Sequence, residues 1–174
     1  MPKRREDEAS ESTRLAEMRA ELARQIRALT ETEGDHATGV PGLNVHRRDI
    51  ATNCYPGTYE PSLTIFAQGK KSISFGGTSH LCDGTTLLLA SIDMPVISEI
   101  VEATEDTPYL SMTLKLDMSV VREIFSQEEL LQVGEGLSPG GGLAFGTTPL
   151  ELLEAFSRLL KLLDTPDDIR SWGT

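Results

Sequence analysis

The sequence predicts an α+β fold that is mainly β, with a β-sandwich or barrel and an amphipathic helix at each end. Short apolar runs alternate with turn signals from residue 43 to residue 117, which is typical of such a β-structure. Hydrophobic residues recur at helical spacing on both sides of that region. The length of 174 residues suits one domain with appended helices.

The N-terminal region is predicted to begin with a disordered tail over residues 1–12, because this stretch is highly charged. A helix is predicted within residues 13–34, from Thr13 to Thr32, and Gly34 is expected to end it. Its apolar residues fall within about 80° of one another around the helix axis, and so they form one face: Leu15, Met18, Leu22, Ile26 and Leu29.

Residues 43–126 are predicted to form the barrel itself. The clearest strand is YLSMTLKL, in which the side chains alternate between two faces. One face carries Leu110, Met112, Leu114 and Leu116, and the other carries Tyr109, Ser111, Thr113 and Lys115. The stretch LLLASI is almost entirely apolar, as expected for a strand that is buried on both faces.

The stretch PSLTIFAQGKKSISFGG, residues 61–77, contains a Gly-Lys-Lys-Ser step. A phosphate-binding P-loop requires a glycine, four residues and then Gly-Lys-Ser/Thr before a helix. Here Thr64 stands in place of the first glycine, Lys71 occupies the position of the Ser or Thr, and the residues that follow alternate at strand spacing. The stretch therefore predicts a β-hairpin with Lys70 and Lys71 in a solvated turn at its tip.

The C-terminal part, residues 127–169, is predicted to be a helical dimerisation segment, preceded by a short helix capped by Asp117. Thr148 is a predicted N-cap, followed by a proline and by Glu151 in a capping box, and the helix is expected to end at Leu163. The wide apolar face of this helix predicts a homodimer interface formed by Leu152, Phe156, Leu159, Leu160 and Leu163. The alternative is that this face packs on the chain's own barrel.

The composition excludes several classes of function. The net charge is −11, from 16 Lys and Arg against 27 Asp and Glu, so this segment is not expected to bind DNA by itself. The N-terminus lacks the apolar core of a signal peptide, and no apolar run reaches the length of a membrane span. The two cysteines do not form a disulfide framework. We therefore expect a soluble, cytoplasmic protein with no membrane partner.

The sequence contains neither a hydrolase motif nor the histidine pattern of a metal-binding cupin. The three histidines include no His-x-His pair, and His80 with Cys82 would supply only two ligands. A Gly-x-Ser-x-Gly nucleophile elbow is not present. We therefore expect no enzyme activity, no catalytic residue, no metal and no cofactor.

Three stretches, in order, resemble the N-terminal domain of AraC-type transcriptional regulators: PSLTIFAQGKKSISFGG, LLLASIDMPVISEIVEA and PYLSMTLKLD. The resemblance covers residues 43–126 and extends with the last helix to about residue 169. The matching positions are Pro61, Gln68, Gly69, Lys70, Leu88, Ser91, Pro95, Val96, Pro108, Tyr109 and Leu110. One departure is the turn at residues 82–85, Cys-Asp-Gly-Thr, where the resemblance leads us to expect Tyr-Asp-x-Gly.

The resemblance implies a cupin-like barrel, or jelly roll, that senses a small-molecule effector and forms a homodimer. Such a domain controls transcription through a separate C-terminal helix-turn-helix domain, which binds DNA and is not expected within this chain. The alternative is a stand-alone cupin enzyme of the isomerase or dioxygenase type.

The interior of the barrel is expected to bind a small, mostly apolar effector. The candidate ligand-binding residues combine apolar walls with a few polar groups: Ile65, Phe75, His80, Cys82, Ser98 and Met112. This assignment depends on the strand register, because a shift of one residue exchanges the two faces of a strand.

Overall fold

The computed structural model describes residues 2–126 and 138–164, which form two antiparallel β-sheets and three helices. The helices are α1 (Pro2–Leu29), α2 (Met118–Ser126) and α3 (Leu150–Lys161), and a 3₁₀ turn, Leu162–Asp164, follows α3. The first strands are β1 (Gly34–Ala37), β2 (Leu43–Arg48), β3 (Tyr55–Tyr59), β4 (Ser62–Gln68), β5 (Lys70–Phe75) and β6 (Thr78–Cys82). The later strands are β7 (Thr86–Ala90), β8 (Met94–Glu102), β9 (Tyr109–Lys115), β10 (Ser138–Gly140) and β11 (Leu143–Thr147).

The predicted fold class, mainly β with flanking helices, is confirmed. One sheet has seven strands in the order β1-β2-β9-β4-β7-β11-β10, and the other has four in the order β3-β8-β5-β6. The two sheets stay separate, so the structure is an open sandwich and not a closed barrel. Within the described residues, no helix is both long and apolar enough to span a bilayer.

The outer face of the seven-stranded sheet is apolar and is covered by α1 and α3. This core contains side chains from both helices and from the central strands: Leu22, Ile26, Val45, Ile65, Leu110, Met112, Leu153, Phe156 and Leu160. A second core fills one end of the space between the sheets, with Phe66, Ile73, Cys82, Leu88, Ile100 and Leu143. The predicted apolar face of the first helix is therefore confirmed, and its target is the outer face of the larger sheet.

The predicted hairpin at residues 61–77 is wrong, because β4 and β5 belong to different sheets. Strand β4 pairs with β7 and β9, whereas β5 pairs with β6 and β8. Gly69 turns the chain from one sheet to the other with a φ of +76°, a left-handed conformation that favours glycine. The true hairpin follows at β5–β6, where Gly76 and Gly77 both have positive φ, as a tight two-residue turn requires.

The first helix is longer than predicted and begins at Pro2, so residues 2–12 are helical and the predicted disordered tail is wrong. The sequence there contains three Glu, two Arg and one Lys, which are good helix formers. A helix that is already nucleated by its packed turns extends into such residues at little cost, even though residues 6–14 are exposed.

The predicted helical segment 127–169 contains a strand pair that the sequence did not indicate. Strands β10 and β11 form a hairpin, and β11 pairs with β7. Residues 138–147 therefore belong to the larger sheet. Two parts of this predicted segment, residues 127–137 and 165–169, lie outside the described part of the chain.

The last helix begins one residue later than predicted and has no capping box. Pro149 is the N-cap and makes no side-chain cap hydrogen bond. The hydroxyl of Thr148 is buried and has no hydrogen-bond partner among the described residues. Asp117, in contrast, caps α2 as predicted, since its carboxylate accepts a hydrogen bond from the backbone N–H of Ser119 at 2.9 Å.

The apolar face of α3 packs against α1 and the sheet of its own chain, as in the alternative interpretation. Phe156 and Leu160 are almost fully buried there. Leu152, Leu159 and Leu163 are partly buried against the same core. Dimerisation through this helix stays a prediction, and the partly buried residues are the ones that a second copy could still contact.

Candidate functional site

A cavity of about 270 Å³ lies between the two sheets, at the end that the apolar core does not fill. Strands β2, β4 and β9 form one wall, and β3, β5 and β8 form the other. Most of the lining residues have polar side chains, although apolar atoms, including those of Val96 and Ile100 on the side of the smaller sheet, form about half of the lining surface. The cavity therefore differs from the mostly apolar pocket that the sequence predicted.

Lys71 extends into this cavity from β5. Its ammonium group donates a hydrogen bond to the Tyr59 hydroxyl at 3.1 Å, and lies 5.4 Å from the centroid of the Tyr59 ring and 5.9 Å from that of Tyr55. Burial, together with the positive charge of Arg48, lowers the pKa of Lys71 to about 8. At neutral pH the side chain is therefore mostly charged, in a site that disfavours the charge.

The two neighbouring lysines differ in their surroundings because adjacent strand residues point to opposite faces. Lys70 lies outside and forms an ion pair with Glu102 at 2.6 Å, whereas Lys71 lies inside the sandwich. The prediction that both lysines sit in a solvated turn is therefore wrong for Lys71. At the cavity rim, Lys115 forms an ion pair with Glu60 at 2.6 Å.

A charged cluster joins the short edge strand β1 to the cavity. The Asp35 carboxylate accepts a hydrogen bond from His46 Nδ1 at 2.8 Å and another from Arg48 Nη2 at 2.8 Å. The hydrogen bond from His46 is the main cause that holds the pKa of Asp35 well below its usual range, and Arg48 adds to it.

Hydroxyl groups continue this network along the wall of the larger sheet. His46 Nε2 lies 3.2 Å from Thr113 Oγ1, and Thr113 Oγ1 lies 3.0 Å from Thr64 Oγ1. These side chains alternate with the apolar residues of the outer core, so the same three strands present one apolar and one polar face. Burial raises the pKa of Tyr109, the aromatic residue that opens β9 on the polar face, which keeps its hydroxyl neutral.

The structure places only one of the six predicted ligand-binding residues in the wall of this cavity, namely Ser98 on β8. Ile65 and Met112 lie directly opposite each other on β4 and β9 but face α1 and α3, so their prediction as cavity residues is wrong. The physical reason is the strand alternation: the apolar positions were assigned to the cavity, but they form the core beneath the helices.

The other three predicted residues lie between the sheets, outside the cavity wall. His80 stacks on Phe145 at 4.1 Å and on Phe75 at 5.4 Å between ring centroids, and Phe75 also borders an open groove on the smaller sheet. Cys82 is fully buried in the second core, and burial raises the pKa of its thiol to about 12. These residues pack together and are not part of the charged cluster.

The cavity residues that sequence reasoning missed are Lys71, Arg48, His46 and Asp35. A signal for Lys71 was present, since a pair of lysines at the start of a strand must send one side chain to the interior. No group of three His, Cys, Asp or Glu side chains within residues 2–126 and 138–164 is close enough to hold a metal ion. The arrangement is suited to binding an anion through a cation and several hydroxyl groups.

Replacing Asp35 with asparagine is expected to lower the free energy of unfolding at neutral pH by about 0.2–1 kcal/mol, because the carboxylate is 64% exposed. Its native pKa is depressed, so this contribution is present above the usual carboxylate pKa near 4 and is lost as pH falls below it. Urea unfolding at pH 7 and pH 3 measures both effects. Asp93→Asn is the control, since Asp93 is exposed and makes no side-chain hydrogen bond or ion pair with another described residue. An equal effect of both variants at the two pH values would contradict this expectation.

Comparisons with known proteins agree with this architecture. Two structures of ToxT from Vibrio cholerae are similar in fold: one, at 1.65 Å resolution, has a TM-score of 0.51 and 13% identity, and covers 68% of this chain and 46% of ToxT. The other, wild-type ToxT from strain SCE256 with bound unsaturated fatty acid, has a TM-score of 0.50 and 9% identity, and covers 78% and 50%. The chain thus spans about half the length of these ToxT chains, and at such identities the likeness concerns the fold alone.

No curated protein matches the sequence. The family model for the AraC-type transcriptional regulator N-terminus matches residues 39–173, which is most of the chain and includes the whole cavity except Asp35. The chain therefore belongs to the family of AraC-type transcriptional regulator N-terminal domains.

Proposed function

We propose that this domain senses a small anionic effector in the cavity between its two sheets, and that it passes the signal to a C-terminal helix-turn-helix domain that binds DNA. The effector must bind one arrangement of the regulator better than another, because only this difference in affinity can change DNA occupancy. The regulator is proposed to act in the cytoplasm as a homodimer. A stand-alone cupin enzyme is not favoured, since residues 39–173 match a regulator family.

The observation that carries the proposal is the environment of Lys71. Among the described residues, Lys70 and Lys115 each form an ion pair with a glutamate, whereas Lys71 has only the neutral Tyr59 hydroxyl as its hydrogen-bond partner. Burial raises the pKa of Tyr59 well above its usual value, so this hydroxyl does not supply a negative charge. A partly buried cation without a counter-ion is unfavourable, and an anionic ligand would relieve that cost.

The relative with bound unsaturated fatty acid supports the same chemical class, since a fatty acid is a carboxylate. In this chain, Lys71 would bind the carboxylate, and Arg48 would add positive potential from the neighbouring wall. Arg48 is already bound to Asp35, so Lys71 is the group that is free to take the ligand's charge.

The test is calorimetric titration of a panel of carboxylates into the domain and its variants. We expect Lys71→Met to reduce the affinity of any bound carboxylate by about tenfold or more, because a hydrogen bond to a charged group is lost. Lys71→Arg should retain most of the affinity. Lys115→Met is the matched control, since it removes a lysine of the same cavity that already has a partner.

The affinity should also depend on pH. Because the ligand binds the protonated amine, and the pKa of Lys71 in the free protein is about 8, affinity should fall by up to about tenfold per pH unit above pH 8. Carboxylate binding that is the same in Lys71→Met and in the unmutated domain, or that does not change with pH in this range, would contradict the proposal.

A further inference from the structure

The polar wall of the cavity contains more hydrogen-bonding groups than its own contacts use. A threonine hydroxyl has one donor and two acceptor sites. Thr64 uses one site in its contact with Thr113 at 3.0 Å, and Thr113 uses a second in its contact with His46 Nε2 at 3.2 Å, so both hydroxyl groups keep unused capacity. The side-chain amide of Asn44, which also lines the cavity, makes no hydrogen bond to another described residue. Such groups are satisfied either by water or by the polar atoms of a ligand.

These groups are arranged on three adjacent strands. Asn44 is directly opposite Thr113 across the β2–β9 pair, and Thr113 is directly opposite Thr64 across the β9–β4 pair. The three side chains therefore form a row across the wall, perpendicular to the strands. Lys71 and the hydroxyl of Ser98 belong to the opposite wall, so a ligand between the walls meets a charge on one side and a row of polar groups on the other.

The size of the cavity favours a small ligand. Its volume of about 270 Å³ lies at the lower end of the range for ligand pockets in proteins, which is about 300–1,000 Å³. Val96 and Ile100 contribute apolar surface to the lining, which can contact the C–H groups of a short chain.

We propose that the effector is a short hydroxylated carboxylate, whose carboxylate group binds Lys71 while its hydroxyl groups bind the row of Asn44, Thr64 and Thr113. This inference rests on the proposed function and specifies it. A site built to hydrogen-bond hydroxyl groups discriminates strongly against an analogue without them, because its own polar groups are then left unpaired. The polar row thus acts as the specificity determinant, and Lys71 provides the charge recognition common to all carboxylates.

The experiment compares three classes of probe by calorimetric titration. Glycerate, threonate and gluconate are hydroxylated carboxylates; propionate, butyrate and hexanoate are the alkyl carboxylates of the same lengths; and glycerol, threitol and sorbitol are the polyols without charge. We expect at least one hydroxylated carboxylate to bind about tenfold or more tightly than both its alkyl and its uncharged counterpart. Thr64→Val, which is nearly isosteric, should remove most of this preference, while Lys71→Met should weaken both carboxylate classes.

A second variant, Asn44→Leu, tests the same polar row in case Thr64→Val misfolds. Circular dichroism checks that both variants keep their β-structure. If an alkyl carboxylate binds as tightly as its hydroxylated counterpart and still depends on Lys71, the hydroxyl inference is wrong and the proposed anion sensor stands. If no carboxylate binds in a way that depends on Lys71, the inference and the proposed function both fail. A preference for hydroxyl groups that is unchanged in both wall variants also overturns the inference.

Discussion

Replacing Phe156 with alanine is expected to lower the free energy of unfolding by about 3–5 kcal/mol. The side chain is only 4% exposed and belongs to the core between α1, α3 and the larger sheet. The substitution removes buried apolar surface and leaves a cavity that the surrounding β-sheet cannot easily fill. Urea unfolding measures the loss. Leu162→Ala, at a residue just beyond α3 that is 38% exposed, is the control and should change stability by less than about 0.5 kcal/mol.

A double substitution in this core distinguishes two roles of α3, namely packing within its own chain and forming a homodimer interface. Because Phe156 and Leu160 are buried within one chain, placing aspartate at both should unfold or aggregate the domain and not produce a folded monomer. Light scattering of the unmutated domain tests the homodimer separately. A folded monomeric double variant would show that this face is exposed in the absence of a partner, contrary to the packing described above.

The sequence predicted correctly those parts of the fold in which the spacing of apolar residues within one element matches the residues that are buried. In α1, the apolar residues at helical spacing must face one direction, and Leu22 and Ile26 are indeed fully buried. The alternation of β9 was also predictable, since Leu110 and Ser111 lie on opposite faces. These features depend only on the geometry of one element.

The parts that could not be predicted depend on which elements lie beside each other. The alternation of β9 does not say whether Met112 or Thr113 faces the interior of the sandwich, because helices cover the outer face of this sheet and make that face apolar. Likewise, two strands around a glycine give the same pattern in a hairpin and at a corner between sheets. The candidate site was assigned to the wrong face for this reason, and Lys71 was placed in solvent.

Replacing Gly69 with alanine is expected to lower the free energy of unfolding by about 2–5 kcal/mol. A Cβ at this position would lie 2.6 Å from the backbone oxygen of Glu102 and 2.9 Å from the Cα of Tyr109, and both are backbone atoms that cannot rotate away. The positive φ of +76° adds a strain that glycine does not have. The matched control is Gly76→Ala, where φ is +56° but nothing lies within 4 Å of the added Cβ, so that only about 1–2 kcal/mol should be lost.

The two glycine variants also test how the corner at Gly69 supports the cavity. Tyr109 lines the cavity, and Lys71 follows Gly69 by two residues, so a displacement of the corner moves both of them. Carboxylate affinity should therefore fall in Gly69→Ala under conditions in which the protein is still folded, whereas Gly76→Ala should leave it unchanged. Equal losses of stability in the two variants would mean that the backbone conformation alone requires glycine at position 69. Equal carboxylate affinities of Gly69→Ala and Gly76→Ala would mean that the corner holds the two sheets together without positioning Lys71.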